Sequence, residues 1–245
     1  MRRVAGAAVI AALVVASSGF TGRRDRAVPD PLVRTRVTLG RSVEGRPITA
    51  VELGDPNAPR RVLVVGIIHG NETAGRRITQ ILERGRTPAA TDLWAVDSLN
   101  PDGVARGTRQ NAHRVDLNRN FAYRWRPLGR PGDQQYSGPG PLSEPESRIA
   151  HALISRLRPD VTIWFHQPLG LTDLSGGDSR IERRFARLSG LPARRLQRYP
   201  GSATTWQNHR FRSATAFVVE LPPGPPAPSD VARYVRAVRF AGSVE

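Results

Sequence analysis

His69, Glu72, His166 and Glu220 have the residue types to do chemistry together, and three of them, His69, His166 and Glu220, stand where an apolar run stops. His69 follows "VVGII", with Glu72 three residues on; His166 follows "VTIWF"; Glu220 closes "AFVV". Zinc accepts imidazole nitrogen and carboxylate oxygen, and catalytic zinc sites take three protein ligands and keep one position open. His69 and Glu72, on a strand-to-helix turn, can face one point, with His166 arriving from a separate strand as the third ligand. Glu220 then remains as general base for an attacking water. The H-x-x-E spacing alone also suits a satisfied buried histidine beside a helix-initial glutamate, so the rest of the chain decides. With no cysteine, thiolate ligands and disulfides are excluded. Any metal site uses histidine and carboxylate.

Delivering such residues to one place requires strands that end together, because sites in open α/β sheets form outside the carboxyl ends of strands. "RVLVVGII" (61–68) is a continuous apolar run bounded by Pro59 and Gly70, and predicts a central strand buried on both faces. Residues 36–54 alternate apolar and polar on both sides of Glu44-Gly45, as two strands joined by a turn. Residues 73–85 and 179–190 are helix-compatible. Residues 92–103 predict a strand running into a turn, and 160–165 and 215–221 two further strands. Ser143 with Glu146 makes a capping-box pattern ahead of Ile149, Leu153, Ile154 and Leu157. Ser229 is expected to cap a last helix with Val231, Tyr234, Val235 and Val238 inward. Between these, the Gly/Pro/Arg-rich residues 104–142 have almost no periodicity, and loops of that length are functional or disordered. Strands alternating with helices predict an α/β layered domain around a largely parallel or mixed sheet.

The 245 residues suit one domain with a sizeable core, and 23 Gly with 21 Pro imply loop-rich connections. All 37 basic residues are Arg, and the formal charge is +16, which favours an anionic partner. "MRRVAGAAVIAALVVASSGF" has the layout of a secretory signal peptide: two arginines, an apolar stretch, then small residues. The division expected is signal peptide 1–20, linker 21–33 and catalytic domain 34–245. The apolar stretch is shorter than the about 20 residues that span a bilayer, so no stable membrane span is expected after signal removal. An extracytoplasmic, cell-wall-associated location follows, with anionic wall polymer as a partner. Nucleic acid is not expected, since only 6% of residues are aromatic and no interleaved stacking platform is present.

"HGNE" (69–72), "NPDG" (100–103), "GTR" (107–109), "RVDLNRNF" (114–121), "FHQ" (165–167) and "VELP" (219–222) occur in the order found in the zinc carboxypeptidase family. "GRSVEGRPI" (40–48) resembles that family's N-terminal segment, and the likeness runs over about residues 35–225, above all to the bacterial murein peptide amidases. The resemblance implies a three-layer α/β/α sandwich around a mixed, mostly parallel twisted sheet. It implies one zinc ion per chain on His69, Glu72 and His166, with Glu220 as general acid/base. Arg109 is expected to polarise the scissile carbonyl and stabilise the oxyanion, and Asn118 and Arg119 to grip the substrate's terminal carboxylate. A guanidinium fork matches a carboxylate, and a second one can meet charge that develops in the transition state. Asp116 is expected to orient a neighbour of the metal site. Tyr199 is the counterpart available for the mobile tyrosine that longer members place late in the chain. The pocket for the terminal side chain is expected within 202–206. With no Asp or Glu in that stretch, Ser202, Thr204 and Thr205 suit a small or polar end, or the zwitterionic tip of diaminopimelate. His113, His151 and His209 are expected to be structural or solvated.

The function expected is that of an exported zinc metallopeptidase cleaving a C-terminal peptide or amide bond of peptidoglycan-derived peptides, as a γ-D-glutamyl–diaminopimelate amidase or a carboxypeptidase. "HGNE" and "DLNR" also resemble the aspartoacylase and succinylglutamate desuccinylase group of N-acyl amino acid deacylases, whereas "NPDG", "GTR" and the signal layout favour the peptidase. An inactive wall-binding protein on the same fold is the non-enzymatic alternative. Intact candidates for every ligand and for the base argue against it.

Overall fold

The computed structural model describes residues 32–86 and 90–241. The expected signal peptide and residues 21–31 of the expected linker lie outside the described residues, and Val33 already opens the first strand. β1 (Val33–Arg41) and β2 (Pro47–Gly54) form an antiparallel hairpin whose turn uses Gly45 at φ 78°, a conformation L side chains rarely adopt. β3 (Arg61–Val65), β4 (Asp92–Val96), β5 (Val161–His166) and β8 (Thr215–Glu220) supply the parallel centre. The short β6 (Leu171–Asp173) and β7 (Ala193–Arg194) complete an eight-stranded mixed sheet ordered β1-β2-β4-β3-β5-β8-β6-β7.

Both faces of the centre are covered, which is why its strands read as unbroken apolar runs. Val62 and Val64 of β3, Ile163 and Phe165 of β5 and Phe217 and Val219 of β8 face one core. That core is closed by α1 (Gly75–Arg84), α4 (Ser179–Ser189) and α6 (Pro228–Ala241), through Ile78, Phe185 and Tyr234 among others. The alternate residues Leu63, Val65, Trp164 and Val218 face a second core under α3 (Pro145–Leu157) and α5 (Ala203–Arg210). Three layers result, as expected. Burying a Phe217-sized side chain completely contributes roughly 1.5–3 kcal/mol, so the stacked interior is the main source of stability.

Local details differ from the sequence pattern where tertiary partners compete. The run 61–68 is strand only to Val65, and the turn after β4 is a short helix, α2 (Pro101–Arg106). The Ser143/Glu146 capping box does not form: Glu144 is the residue before the first helical turn and makes no side-chain cap. Ser143 Oγ instead donates to Glu144 and accepts from Asn120, while Glu146 accepts from Val43 N (3.0 Å) and Asn111 (3.0 Å). Those bonds clamp the long segment and the hairpin onto α3. Ser229 is not a cap either, because Pro228 already begins α6.

Candidate metal centre and catalytic pocket

The turn that carries His69 and Glu72 is held by packing between three of the short motifs. Asn100 caps α2 by accepting from Gly103 N (2.9 Å), and its amide donates to Ile68 O (3.1 Å) and Arg109 O (3.2 Å). Gly70 sits flat on that helix: a Cβ there would lie 2.0 Å from the Gly103 carbonyl carbon. "HGNE", "NPDG" and "GTR" are thus one unit whose backbone contacts set His69 and Arg109. The other two residues are placed by sheet register, since His166 at the end of β5 pairs with Glu220 at the end of β8.

His69 Nδ1 lies 2.9 Å from Glu72 Oε1, His166 Nδ1 lies 2.9 Å from Glu72 Oε2, and the two Nδ1 atoms are 3.1 Å apart. Zinc bonds of about 2.0–2.1 Å put tetrahedral donors about 3.3–3.4 Å apart, so these atoms fit one small cation with shifts of a few tenths of an ångström. Among the described residues they form a single buried His/Glu cluster of metal-holding type. Asp116 stands behind it: His69 Nε2–H donates to Asp116 Oδ1 (3.0 Å), which leaves the Nδ1 lone pair facing the cluster.

Charge is concentrated here. Burial alone would raise the Glu72 carboxyl, but His69 and a hydrogen bond from His166 outweigh it and hold the group well below the carboxylate range. Asp116 shows the same balance, with His69 and Arg109 prevailing over its burial. Burial lowers the Arg119 guanidinium. Glu220 moves the other way, raised chiefly by burial, and its Oε2 is buried without a partner.

These residues open onto one cavity of about 540 Å³. His69, Glu72, His166, Glu220, Arg109, Asn118, Arg119, Tyr199 and Thr204 all line it, so every residue expected to hold metal, act on the bond or bind substrate comes to the same place. Arg109 donates from Nη1 to Glu72 Oε1 (2.9 Å) and from Nε and Nη2 to Asp116 Oδ2 (3.1 and 3.0 Å). Arg119 is 6% exposed, has a buried Nε with no acceptor, and stacks its guanidinium 4.1 Å over the Tyr199 ring. Asn118 Oδ1 accepts from Ala203 N (3.0 Å), tying it to the start of α5. Gln134 and Gln135 show that the long segment 104–142 supplies part of the wall.

Other lining residues had no local signal. Asp173, Leu196 and Arg198 enter from β6 and the stretch after β7, so the wall does contain a carboxylate, contrary to what 202–206 alone suggested. Gln167 carries no sequence signal beyond its place next to His166. Its backbone N donates to Glu72 Oε2 (3.2 Å), and its side chain bridges Ala74 N to Pro222 O and Gly224 O. The remaining histidines are elsewhere: His113 pairs with Glu144, His151 packs on Trp206 and His209 stacks on Tyr123.

Residues 29–169 match the family described as zinc carboxypeptidase. The chain is 31% identical to murein peptide amidase A of Vibrio campbellii, over 77% of this chain and 80% of that protein. It is 32% identical to murein peptide amidase A of Escherichia coli K12, over 68% and 74%. Murein-tripeptide amidase MpaA from Escherichia coli O157 superposes with a TM-score of 0.70 at 27% identity, covering 91% of this chain and 97% of that one. Carboxypeptidase A from Helicoverpa armigera shares the fold, with a TM-score of 0.71 at 18% identity over 86% of this chain and 69% of that one. The order of the motifs, the eight-stranded sheet and the extent of these matches agree, and the chain belongs to the zinc carboxypeptidase family of hydrolases, with its likeness running to the murein peptide amidases.

Proposed function

We propose that this protein is an exported zinc metallopeptidase that cleaves the γ-D-glutamyl–diaminopimelate bond of wall-derived peptides. One observation carries the reading: the His69, Glu72 and His166 donors, the partnerless Glu220 Oε2 and the Arg109 and Arg119 guanidiniums share a single cavity. The substrate class follows from the murein peptide amidases that resemble it, and export from the signal-like first 20 residues. The +16 charge suits residence against anionic wall polymer.

His69, Glu72 and His166 would hold the zinc ion, which when bound supplies a Lewis acid. Glu220, its affinity for a proton raised by burial, takes the proton of the water that adds to the scissile carbonyl. It returns that proton to the leaving nitrogen as the C–N bond breaks. Arg109 swings its Nη1 from Glu72 to the oxygen that gains charge, while Asp116 keeps hold of the other edge of its guanidinium. Arg119 and Asn118 receive the terminal carboxylate, and Tyr199 stiffens Arg119 from below. A second cavity of about 690 Å³ shares Glu72, Gln167 and Pro168 with the first and is walled by Arg76 and Arg77, leaving room for the acyl side of the peptide.

The test is release of diaminopimelate from L-Ala-γ-D-Glu-meso-diaminopimelate by zinc-loaded protein, followed by mass spectrometry, with Glu220→Gln as blank. Release by wild type alone is expected. No release from protein shown to hold zinc would overturn the substrate assignment, and parallel assays with ordinary C-terminal peptides and N-acyl amino acids would identify the replacement.

A further inference from the structure

The cavity wall away from the metal donors holds an ion pair that the hydrolytic machinery does not use. Asp173 ends β6, is 2% exposed, and is saturated by its own protein. Its Oδ1 accepts from Leu196 N (2.8 Å), and its Oδ2 accepts from Ser175 Oγ (2.6 Å) and Arg198 Nη1 (2.5 Å). Arg198 Nη2 also donates to Leu174 O. The guanidinium is therefore fixed along one edge, while its side chain stays 34% exposed on the cavity. Among the described residues its Nε–H has no acceptor. A cation held in this way has little freedom left to lose on binding, and it presents a fork that matches a carboxylate.

We propose that Arg198, positioned by Asp173, reads the carboxylate at the far end of the substrate's terminal side chain. The enzyme thereby selects a C-terminal residue tipped by a zwitterion, such as diaminopimelate, over one tipped by an amine alone, such as lysine. This rests on the reading of the cavity as the site of a peptide hydrolase. The sign of the selection follows from the bonds. Asp173 spends its charge on Arg198 and on backbone, so a lone ammonium meets the outward guanidinium and is repelled. A zwitterion offers its carboxylate to that fork and keeps its ammonium for neutral acceptors such as Thr204 and Thr205, which line the same cavity. An ordinary structural salt bridge would show no such ligand preference.

The experiment has two arms on zinc-loaded, full-length protein. Calorimetric titration with free meso-diaminopimelate and free L-lysine tests Arg198 whether or not the peptide is cleaved. Wild type is expected to bind meso-diaminopimelate about 10- to 150-fold more tightly than lysine, the range of a hydrogen bond to a charged group. Arg198→Gln is expected to remove that preference, with Arg198→Lys, which keeps the cation without the fork, falling between. Steady-state kinetics on L-Ala-γ-D-Glu tripeptides ending in meso-diaminopimelate or L-lysine form the second arm. There the ratio of the two kcat/KM values should fall in Arg198→Gln, through KM more than kcat. Equal binding of the two amino acids by wild type, or equal loss of both in Arg198→Gln, would overturn the proposal. Selective binding without turnover of either tripeptide would uphold Arg198 and sink the bond assignment instead.

Discussion

Replacing Asp116 by asparagine perturbs the group that sets the direction of His69. The carboxylate is 0% exposed; Oδ1 accepts from His69 Nε2–H (3.0 Å) and Asn118 N (2.9 Å), and Oδ2 from Arg109 Nε (3.1 Å) and Nη2 (3.0 Å). An amide of the same shape has one acceptor oxygen. With that oxygen toward His69 and Asn118, its NH₂ faces two guanidinium donors and Arg109 loses its anchor. Turned over, the NH₂ faces Nε2, drives the imidazole proton onto Nδ1 and blocks the metal donor. The first orientation wins because it preserves both bonds at Oδ1, yet His69 then leans on a neutral acceptor where it had an anion. A hydrogen bond to a charged group contributes about 1.5–3 kcal/mol against about 0.5–1.5 for a neutral one, a difference of about 1–1.5 kcal/mol for His69 alone. With the field of the lost anion added, zinc affinity should fall about 10- to 100-fold, or about 1.4–2.7 kcal/mol. Turnover should fall further because Arg109 is loosened. Competition of the protein with a chromophoric chelator for zinc measures the first effect, and kcat/KM the second. A zinc affinity within about threefold of wild type would refute the role given to Asp116.

Glu72→Ala and His166→Ala should come through dialysis without zinc by elemental analysis, whereas Glu220→Gln should keep a full complement and lose about 10²–10⁴ in kcat; zinc loss in Glu220→Gln would contradict the division of roles. Gly70→Ala puts a methyl 2.0 Å from Gly103 C and 2.4 Å from Val104 N, both backbone atoms that cannot rotate aside. Overpacking of this kind costs about 1–3 kcal/mol, so melting temperature and zinc affinity should fall together, and an unchanged melt would rule out the tight packing of α2 on the ligand turn. Asp102 is buried, which alone would raise its carboxyl, but bonds from Glu44 N, Arg46 and Ser42 prevail and hold it below its ordinary value. A depressed carboxyl stabilises the fold above its unfolded pKa of about 3.9 and loses that contribution as pH falls through the lower folded value. Asp102→Asn should therefore be less stable than wild type at neutral pH, with the gap in denaturation midpoint closing in acid; a gap independent of pH would exclude the charge as its source.

Much of the fold was legible because the physics is local. Strands buried on both faces are largely apolar, so β3, β5 and β8 appear as nearly continuous apolar runs, and a histidine or glutamate ending such a run stands out. The elements that escaped notice, β6, β7, α2 and α5, are eight residues or shorter and show too few turns or alternations for a period to be detected. The capping box failed for a different reason. Ser143 and Glu146 have the right spacing, but Asn120, Asn111 and Val43 N, all distant in sequence, offer better partners.

The sequence by itself determined the layered α/β architecture and singled out His69, Glu72, His166 and Glu220, since apolar periodicity and rare polar residues at or just past strand ends are properties of short segments. The ordered motifs shared with the zinc carboxypeptidases pointed to Arg109, Asn118, Arg119, Tyr199 and Thr204. Tertiary structure alone decided how they meet. The register that sets His166 beside Glu220, the backbone contact of Gly70 with Gly103, and the pair of Asp173 with Arg198 each join segments far apart in the chain. Such contacts depend on distances of a few ångströms between elements, and no local pattern of residues encodes those distances.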